Sequence, residues 1–473
     1  MSFQSFQFLA FFVIVLFVAR VVLAKKHEAK KLFLLFASYF FYMCWDWRFA
    51  GLILAITVIN FIVGPKIVEA KDQKTKKWWL GLSLVSSIGI LAYFKYANFF
   101  IDSMNVMLTG FGFSAELPLL NVLLPIGISF YTFQSISYTL DIYRGRSHAV
   151  KSFSDFALFV AFFPQLVAGP IVRASHFLPQ MEEGHKEEEN SMETGMALII
   201  RGFIKKIAFA DVLAVHIVDP AFASPELYSP LFLLVGIYAY SYQVYMDFSG
   251  YTDIARGIAR TLGYELQINF NRPYKAVSVS NFWQRWHISM SSFFRDYLFF
   301  AVGGSKYGNV YINLLITFVA IGIWHGAGWN FVLYGLMHGC FVGIERWRRN
   351  SRKVAGIPEP EYNGARLVFQ WFWIFNVVAF SRLLFRGGSL ESAIHYGKSM
   401  VDFSVTNTPF DMVGVAMLSL AVLIQYTPCN WTFDWKTAYC KIPAVVQAMF
   451  IVGITYTLIA LSTDEAPFIY FQF

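Results

Sequence analysis

Apolar segments recur from Phe6 almost to the C-terminus, and no long polar stretch separates them. Such a chain is constrained more by its solvent than by any single motif. In lipid no water satisfies the backbone, so a spanning chain must close its hydrogen bonds internally, as helices or as a closed barrel. The composition agrees: 57% of the 473 residues are hydrophobic and only 14% are charged, where a soluble domain has about a quarter. The expectation is an all-α polytopic membrane protein, with residues 1–473 forming a single integral membrane domain in the lipid bilayer. Spans are expected near 5–24, 32–44, 48–64, 78–100, 121–140, 195–218, 229–247, 311–323, 329–344, 366–385, 410–427 and 443–462, about 12 transmembrane or partial helices. Several are too short to cross a hydrocarbon core of ~30 Å upright, and are read as half-helices or tight hairpins. The segment 153–172, "FSDFALFVAFFPQLVAGPIV", is interrupted by Pro164, Gly169 and Pro170 and reads as re-entrant.

The first apolar run has its charges after it, at Arg20, Lys25 and Lys26. That order is wrong for a secretory signal and predicts a retained helix. With the N-terminus outside, the loops assigned to the inside hold 33 of the 38 lysines and arginines. The positive-inside rule then puts both termini outside and the basic loops in the cytoplasm. The net charge of +8 is thereby explained as a topological signal. A basic cytoplasmic surface would also attract an anionic ligand. The acidic stretch "MEEGHKEEEN" at 181–190 reads as a solvated loop.

Within this apolar frame one stretch stands out, "IGIWHGAGWNF" at 321–331. About 14 helical residues from Val310 to Ile323 cover roughly 20 Å, which leaves His325 inside the membrane. Polar side chains at that depth are expensive and face a cavity or a partner. Gly322, Gly326 and Gly328 favour a tight turn or close helix packing, and Trp324 and Trp329 flank the histidine. Two readings stand side by side: a functional imidazole, or a hydrogen-bonded anchor for a helical hairpin.

Three further stretches carry polar groups. In "SVSNFWQRWHISMSSFFRDYLFF" (278–300), helical spacing puts Trp283, Trp286, His287, Met290 and Phe294 on one face, with Arg285, Ser292, Arg295 and Asp296 elsewhere. Asn281 and Gln284 resemble a capping box. The expectation is an amphipathic interfacial helix on which His287 keeps a wet tip. In "YAYSYQVYMDFSGYTDIARG" (238–257), Gln243, Asp247 and Ser249 could line a polar path, although an isolated aspartate ending an apolar run reads first as a satisfied helix-end acid. In "VLYGLMHGC", Tyr334 and His338 are four residues apart on one helical face, which predicts a Tyr–His hydrogen bond.

Several classes are unsupported. There is no G-x-S-x-G elbow, no complete P-loop and no convincing metal spacing. Cys44, Cys340, Cys429 and Cys440 form no C-x-x-C pair, and no nucleic-acid-binding module is present. No internal repeat is evident, which argues mildly against transporters built from inverted repeats. The residues alone leave an enzyme and a transporter open.

Taken in order, "LPIGISFYTFQSISYTLDIYRG" (124–145), "FFPQLVAGPIVR" (162–173), "YSYQVYMDFSGYTDIARG" (240–257), "NFWQRWHISMSSFFRDYLF" (281–299), "WHGAGWNFVLYGLMHG" (324–339) and "FIYFQF" (468–473) resemble the membrane-bound O-acyltransferase family, within it the bacterial branch that includes alginate O-acetyltransferase. The resemblance runs over nearly the whole chain. It implies a bundle around a thinned centre with a funnel or tunnel between the two faces. The family's buried active-site histidine matches His325, and its second histidine matches His287. Asp247, Gln243, Asn330 and Tyr334, with His338, Trp324 and Arg285, are the expected tunnel-lining set, Asn330 being placed to orient His325.

The activity implied is O-acetyl transfer in a bacterial inner membrane. Acetyl-CoA is the expected cytoplasmic donor, a substrate and not a tightly bound cofactor. The acetyl group would pass to an extracytoplasmic partner of the SGNH-hydrolase type and then to a polysaccharide such as alginate. No metal and no nucleic acid are expected. Two alternatives remain at this stage. One is transfer of D-alanine or another acyl group to a cell-wall polymer. The other is a channel or transporter that moves an acyl donor without chemistry.

Overall fold

The computed structural model describes residues 1–113, 116–182, 187, 189–427, 435–443, 445–447, 449–450, 452–453, 456 and 468–469. Among these residues the secondary structure is helical throughout, with no strand. Three helical stretches, Trp47–Glu69, Gln73–Gly110 and Gly364–Arg386, are long and apolar enough to cross a membrane, and Phe6–Val22, Val310–His325 and Met412–Tyr426 are shorter apolar helices. Apolar side chains such as Val85, Phe369 and Leu423 point outward, which is the pattern of a surface meant for lipid rather than water. Most of the expected span at 443–462, Cys429, most of the tail at 468–473 and part of the acidic stretch lie outside the described residues.

By contacts the chain forms two compact units, one from Met1–Ile199, Ile254–Gln267 and Tyr439–Pro467, the other from Ile200–Asp253, Ile268–Ala438 and Phe468–Phe473.

In the first unit the apolar helices are joined by buried polar groups. Asn60, on Ala50–Glu69, donates to Ser87 Oγ (3.0 Å) and accepts from Ser83 Oγ (2.6 Å), both on Gln73–Leu91; Ser83 also meets Thr139 of Ile128–Tyr143 at 2.8 Å. Such bonds link helices where burial of apolar surface no longer distinguishes helix from lipid. Ile128–Tyr143 begins later than the expected span at 121–140. Its start is set by Gly127 at φ +76°, where a Cβ would also lie 2.6 Å from the Leu166 carbonyl, so only glycine fits. The segment 153–172 is broken as expected: a helix over Phe153–Ala161, a single turn over Phe163–Leu166, then irregular backbone at Gly169 and Pro170.

The second unit carries the histidines. Among its helices are α1 (Pro230–Thr261, whose last turns fall in the first unit), α2 (Val279–Trp283), α3 (Ile288–Phe293), α4 (Val310–His325), α5 (Trp329–Val354), α6 (Gly364–Ser381) and α7 (Leu383–Arg386). α4 and α5 form an antiparallel hairpin turned by Gly326–Gly328. A Cβ on Gly322 would collide with the Phe331 carbonyl, and one on Gly335 with the Phe318 carbonyl. The two backbones therefore touch, and glycine is what permits it. The N-terminus of α4 is capped by Asn309, whose Oδ1 accepts from Tyr311 N at 2.9 Å.

Candidate active site

His325 is the last residue of α4, 4% exposed, and Phe385 of α7 packs edge-on against its ring at 5.2 Å between centroids. Trp324 lies 5.0 Å away and Tyr334 6.2 Å. The His287 ring is 6.5 Å distant. The hairpin thus delivers His325 to an aromatic chamber in which a second imidazole stands. Trp324 packs on both histidines, its ring 5.5 Å from His287.

His287 differs from its expectation in two ways. It is fully buried, with no wet tip, and it does not sit on a continuous helix. α2 stops at Trp283, and His287 adopts φ +45° before α3 begins. Left-handed backbone is unfavourable for a histidine and persists only where its surroundings impose it. Asn269 supplies that constraint. Its backbone carbonyl accepts from Ile288 N (3.0 Å), and its side-chain Oδ1 accepts from His287 Nδ1 (3.2 Å), Ser289 N (3.1 Å) and Ser289 Oγ (2.9 Å). The bond from Nδ1 places the ring proton there. Trp283, Trp286, Met290 and Phe294 are buried as the apolar face predicts. The cap of α2 is Ser278, whose Oγ accepts from Asn281 N at 2.9 Å, in place of the Asn281–Gln284 box; Asn281 Oδ1 instead receives Arg285 Nε at 3.0 Å. Glu345 of α5 accepts from Val279 N and from the amide and hydroxyl of Ser280. Arg285 is half-buried and engaged with Asn281 and the Asn271 carbonyl, away from the histidines' ring contacts.

His338 is buried, and its hydrogen bonds go elsewhere than to Tyr334. Trp283 Nε1 donates to His338 Nδ1 at 3.2 Å, and His338 Nε2 meets Ser381 Oγ at 3.0 Å. Ser381 spends its own proton on the Val378 carbonyl (2.6 Å), so it accepts from His338. Tyr334 and His338 are ring neighbours at 4.5 Å instead. With both nitrogens used, His338 ties α2, α5 and α6 together. Asn330 donates to the Leu384 carbonyl at 2.9 Å and so fixes α7, which carries Phe385 against His325; it acts on the wall of the chamber and not on the imidazole.

Asp247 is not at a helix end. α1 runs on to Thr261, and Asp247 lies in its middle, 1% exposed. Its carboxylate pairs with Lys206 (2.8 Å), which also meets Asp211 (2.7 Å), and it accepts the Ile469 amide at 2.9 Å. The Phe468 ring lies 4.8 Å from Lys206 Nζ. Lys206, which falls within the expected span 195–218, is therefore an internal ion-pair partner. Gln243 and Ser249 are buried on the same helix.

A cavity of about 350 Å³ opens beside the chamber. Trp283, Phe318 and Ile321, the last one helical turn from His325, line it together with Arg295, Arg346 and Arg349. The two buried imidazoles, His287 and His325, are groups able to move or hold protons, and such a pair suits acyl transfer. No cluster of metal-ligating residues occurs among the described residues.

The membrane-bound O-acyltransferase family model matches residues 6–385. The chain belongs to this family. A probable alginate O-acetylase from Pseudomonas putida is 35% identical over 94% of this chain and 94% of its own length. One from Azotobacter vinelandii is 38% identical over 84% of this chain and 77% of its length. A peptidoglycan O-acetyltransferase from Helicobacter pylori is 34% identical over 80% and 75%. This O-acyltransferase is thus a membrane protein, and the match spans both histidines. Sequence reasoning missed Asn269 and Ser381, which hold His287 and His338 through contacts far away in sequence that no local spacing announces.

Proposed function

We propose that this chain transfers an acetyl group from a cytoplasmic thioester, acetyl-CoA, towards a polysaccharide hydroxyl outside a bacterial inner membrane, with His325 as the general base. The observation that carries this reading is His325, buried at the tip of a tightly packed hairpin with a second imidazole 6.5 Å away, in a chain of this family. The acceptor oxygen attacks the acetyl carbonyl as His325 takes its proton. The carbon–sulfur bond then breaks, and the thiolate leaves with that proton. An imidazole suits both steps because it exchanges protons near neutral pH. His287, oriented by Asn269, positions the acetyl group.

The arginine-lined cavity supports a donor with anionic phosphates. The relatives named for alginate and peptidoglycan O-acetylation support acetyl as the group and a glycan as the acceptor. The distribution of positive charge supports an orientation with both termini outside. The short apolar helices and broken segments fit about 12 spans or partial spans around a funnel, the whole chain acting as one acyltransferase domain. An SGNH-type partner takes the acetyl group on the outer side in this scheme.

Purified protein in detergent, given labelled acetyl-CoA or a D-alanyl carrier-protein thioester together with candidate glycans, tests the donor. Acetyl transfer from acetyl-CoA is the expected result. Transfer from the D-alanyl thioester alone selects the cell-wall alternative. Movement of label across a vesicle membrane without ester formation selects a transporter.

A further inference from the structure

Three arginines are buried among the described residues, Arg256, Arg260 and Arg382. The first two pair with Glu265, at 3.0 and 3.3 Å. Arg382, 4% exposed, pairs with no acid among the described residues, and among them its Nε and Nη2 have no hydrogen-bond partner. Neighbouring acids are already engaged: Asp219 with Arg386 and Asp247 with Lys206. A guanidinium cannot discharge itself by losing a proton. A buried one without an anion is therefore a group whose partner arrives from elsewhere.

Its surroundings hold it firmly. Arg382 stands at the break between α6 and α7, with its Cζ 4.3 Å from the centre of the Trp286 ring. Ser381, the residue before it, receives the hydrogen bond from His338, and Phe385, three residues on, packs against His325. Nε and Nη2 form the side edge of the guanidinium, one of its two edges that can grip two oxygens at once. The chain uses that same edge on carboxylates three times, Arg48 on Asp46, Arg201 on Asp253 and Arg295 on Asp296.

We infer that Arg382 is a substrate-binding residue whose Nε–Nη2 edge takes a two-oxygen anion beside the histidine chamber. This rests on the reading of the chamber as a transferase site. Two substrates offer such a group: the carboxylate of an acidic sugar in the acceptor, and a phosphate of the donor.

Equilibrium binding to the purified protein separates these sources without requiring turnover. The probes are a uronic-acid trisaccharide against its neutral glucose counterpart, and CoA against pantetheine. Wild type should prefer the anionic member of one pair by on the order of tenfold or more. That pair names the source. In Arg382→Gln the preference should vanish, and in Arg382→Lys, which keeps the charge but not the fork, it should fall part-way. Unchanged thermal midpoints certify that the variants are folded. If Arg382→Gln does not fold, Arg382→Lys and the wild-type preference still decide. Equal binding of anionic and neutral probes by wild type, or an undiminished preference in either folded variant, overturns the inference. A wild-type protein that binds as expected yet transfers no acetyl group sinks the functional reading above and leaves this one standing.

Discussion

The imidazoles of His287 and His325 lie 6.5 Å apart, ring centre to ring centre, with Trp324 packed against both. They arrive by unlike routes. His325 ends a regular helix, whereas His287 sits at a forced break between two short ones. Their substitutions should therefore fail differently. His325→Ala should lower acetyl transfer by about 10²–10⁴ while the protein inserts at normal abundance. Acetyl esters on surface polymers, measured beside membrane abundance, check this. Wild-type ester content in that variant would remove His325 from the mechanism.

The left-handed backbone at His287 separates side-chain loss from backbone strain. Glycine tolerates φ +45° and alanine does not. His287→Gly should keep a higher thermal midpoint than His287→Ala, by about 1 kcal/mol, with both impaired in transfer. Asn269→Ala should resemble neither. It leaves the imidazole in place but removes the acceptor of three hydrogen bonds, at a cost of roughly 1–3 kcal/mol. Transfer by the folded fraction should fall because the ring loses its orientation. Stability curves alongside single-turnover rates distinguish the three variants.

The close approach of α4 and α5 gives a second graded series. Gly322→Ala and Gly335→Ala would each push a methyl group into a main-chain carbonyl, which cannot rotate away. Gly343→Ala, with only the Tyr311 ring at 3.7 Å, has room. The first two should destabilise by about 1–3 kcal/mol and the third should be neutral. Detergent-solubilised thermal midpoints would show the order, and equal loss at all three would refute the backbone contact.

The hairpin that carries His325 was readable from "IGIWHGAGWNF" because its signals are local: an apolar run of limited length, glycines at the turn and crossing, and tryptophans beside the histidine. The break at His287 was not. Helical periodicity predicted the burial of Trp283, Trp286 and Met290 correctly, but periodicity says nothing of a main-chain kink imposed by Asn269. The same limit explains His338. Its spacing to Tyr334 predicted a hydrogen bond, but the two rings are only neighbours, and the hydrogen-bond partners, Trp283 and Ser381, come from other helices. The count of positive charges that sets the orientation says nothing of where the side chains of Arg382 and Lys206 end.

Lys206 and Asp247 provide the sharpest test of that last point. Each side chain is only 2% exposed, and their atoms meet at 2.8 Å. Removing the lysine strands the Asp247 carboxylate in the interior, which costs about 3–5 kcal/mol. Replacing both members of such a pair with apolar side chains of similar size is often neutral. Lys206→Met should therefore sharply lower membrane abundance and thermal midpoint; Asp247→Leu, which leaves Lys206 its second carboxylate on the half-buried Asp211, should cost less, and the double variant should recover most of the Lys206→Met loss. The pair also meets the chain's own C-terminal segment, through the Ile469 amide on Asp247 and the Phe468 ring over Lys206. The double variant should consequently be stable but release that segment. Limited proteolysis should remove the tail from the double variant faster than from wild type. Additive loss of stability in the double variant would mean that the two charges do not depend on each other.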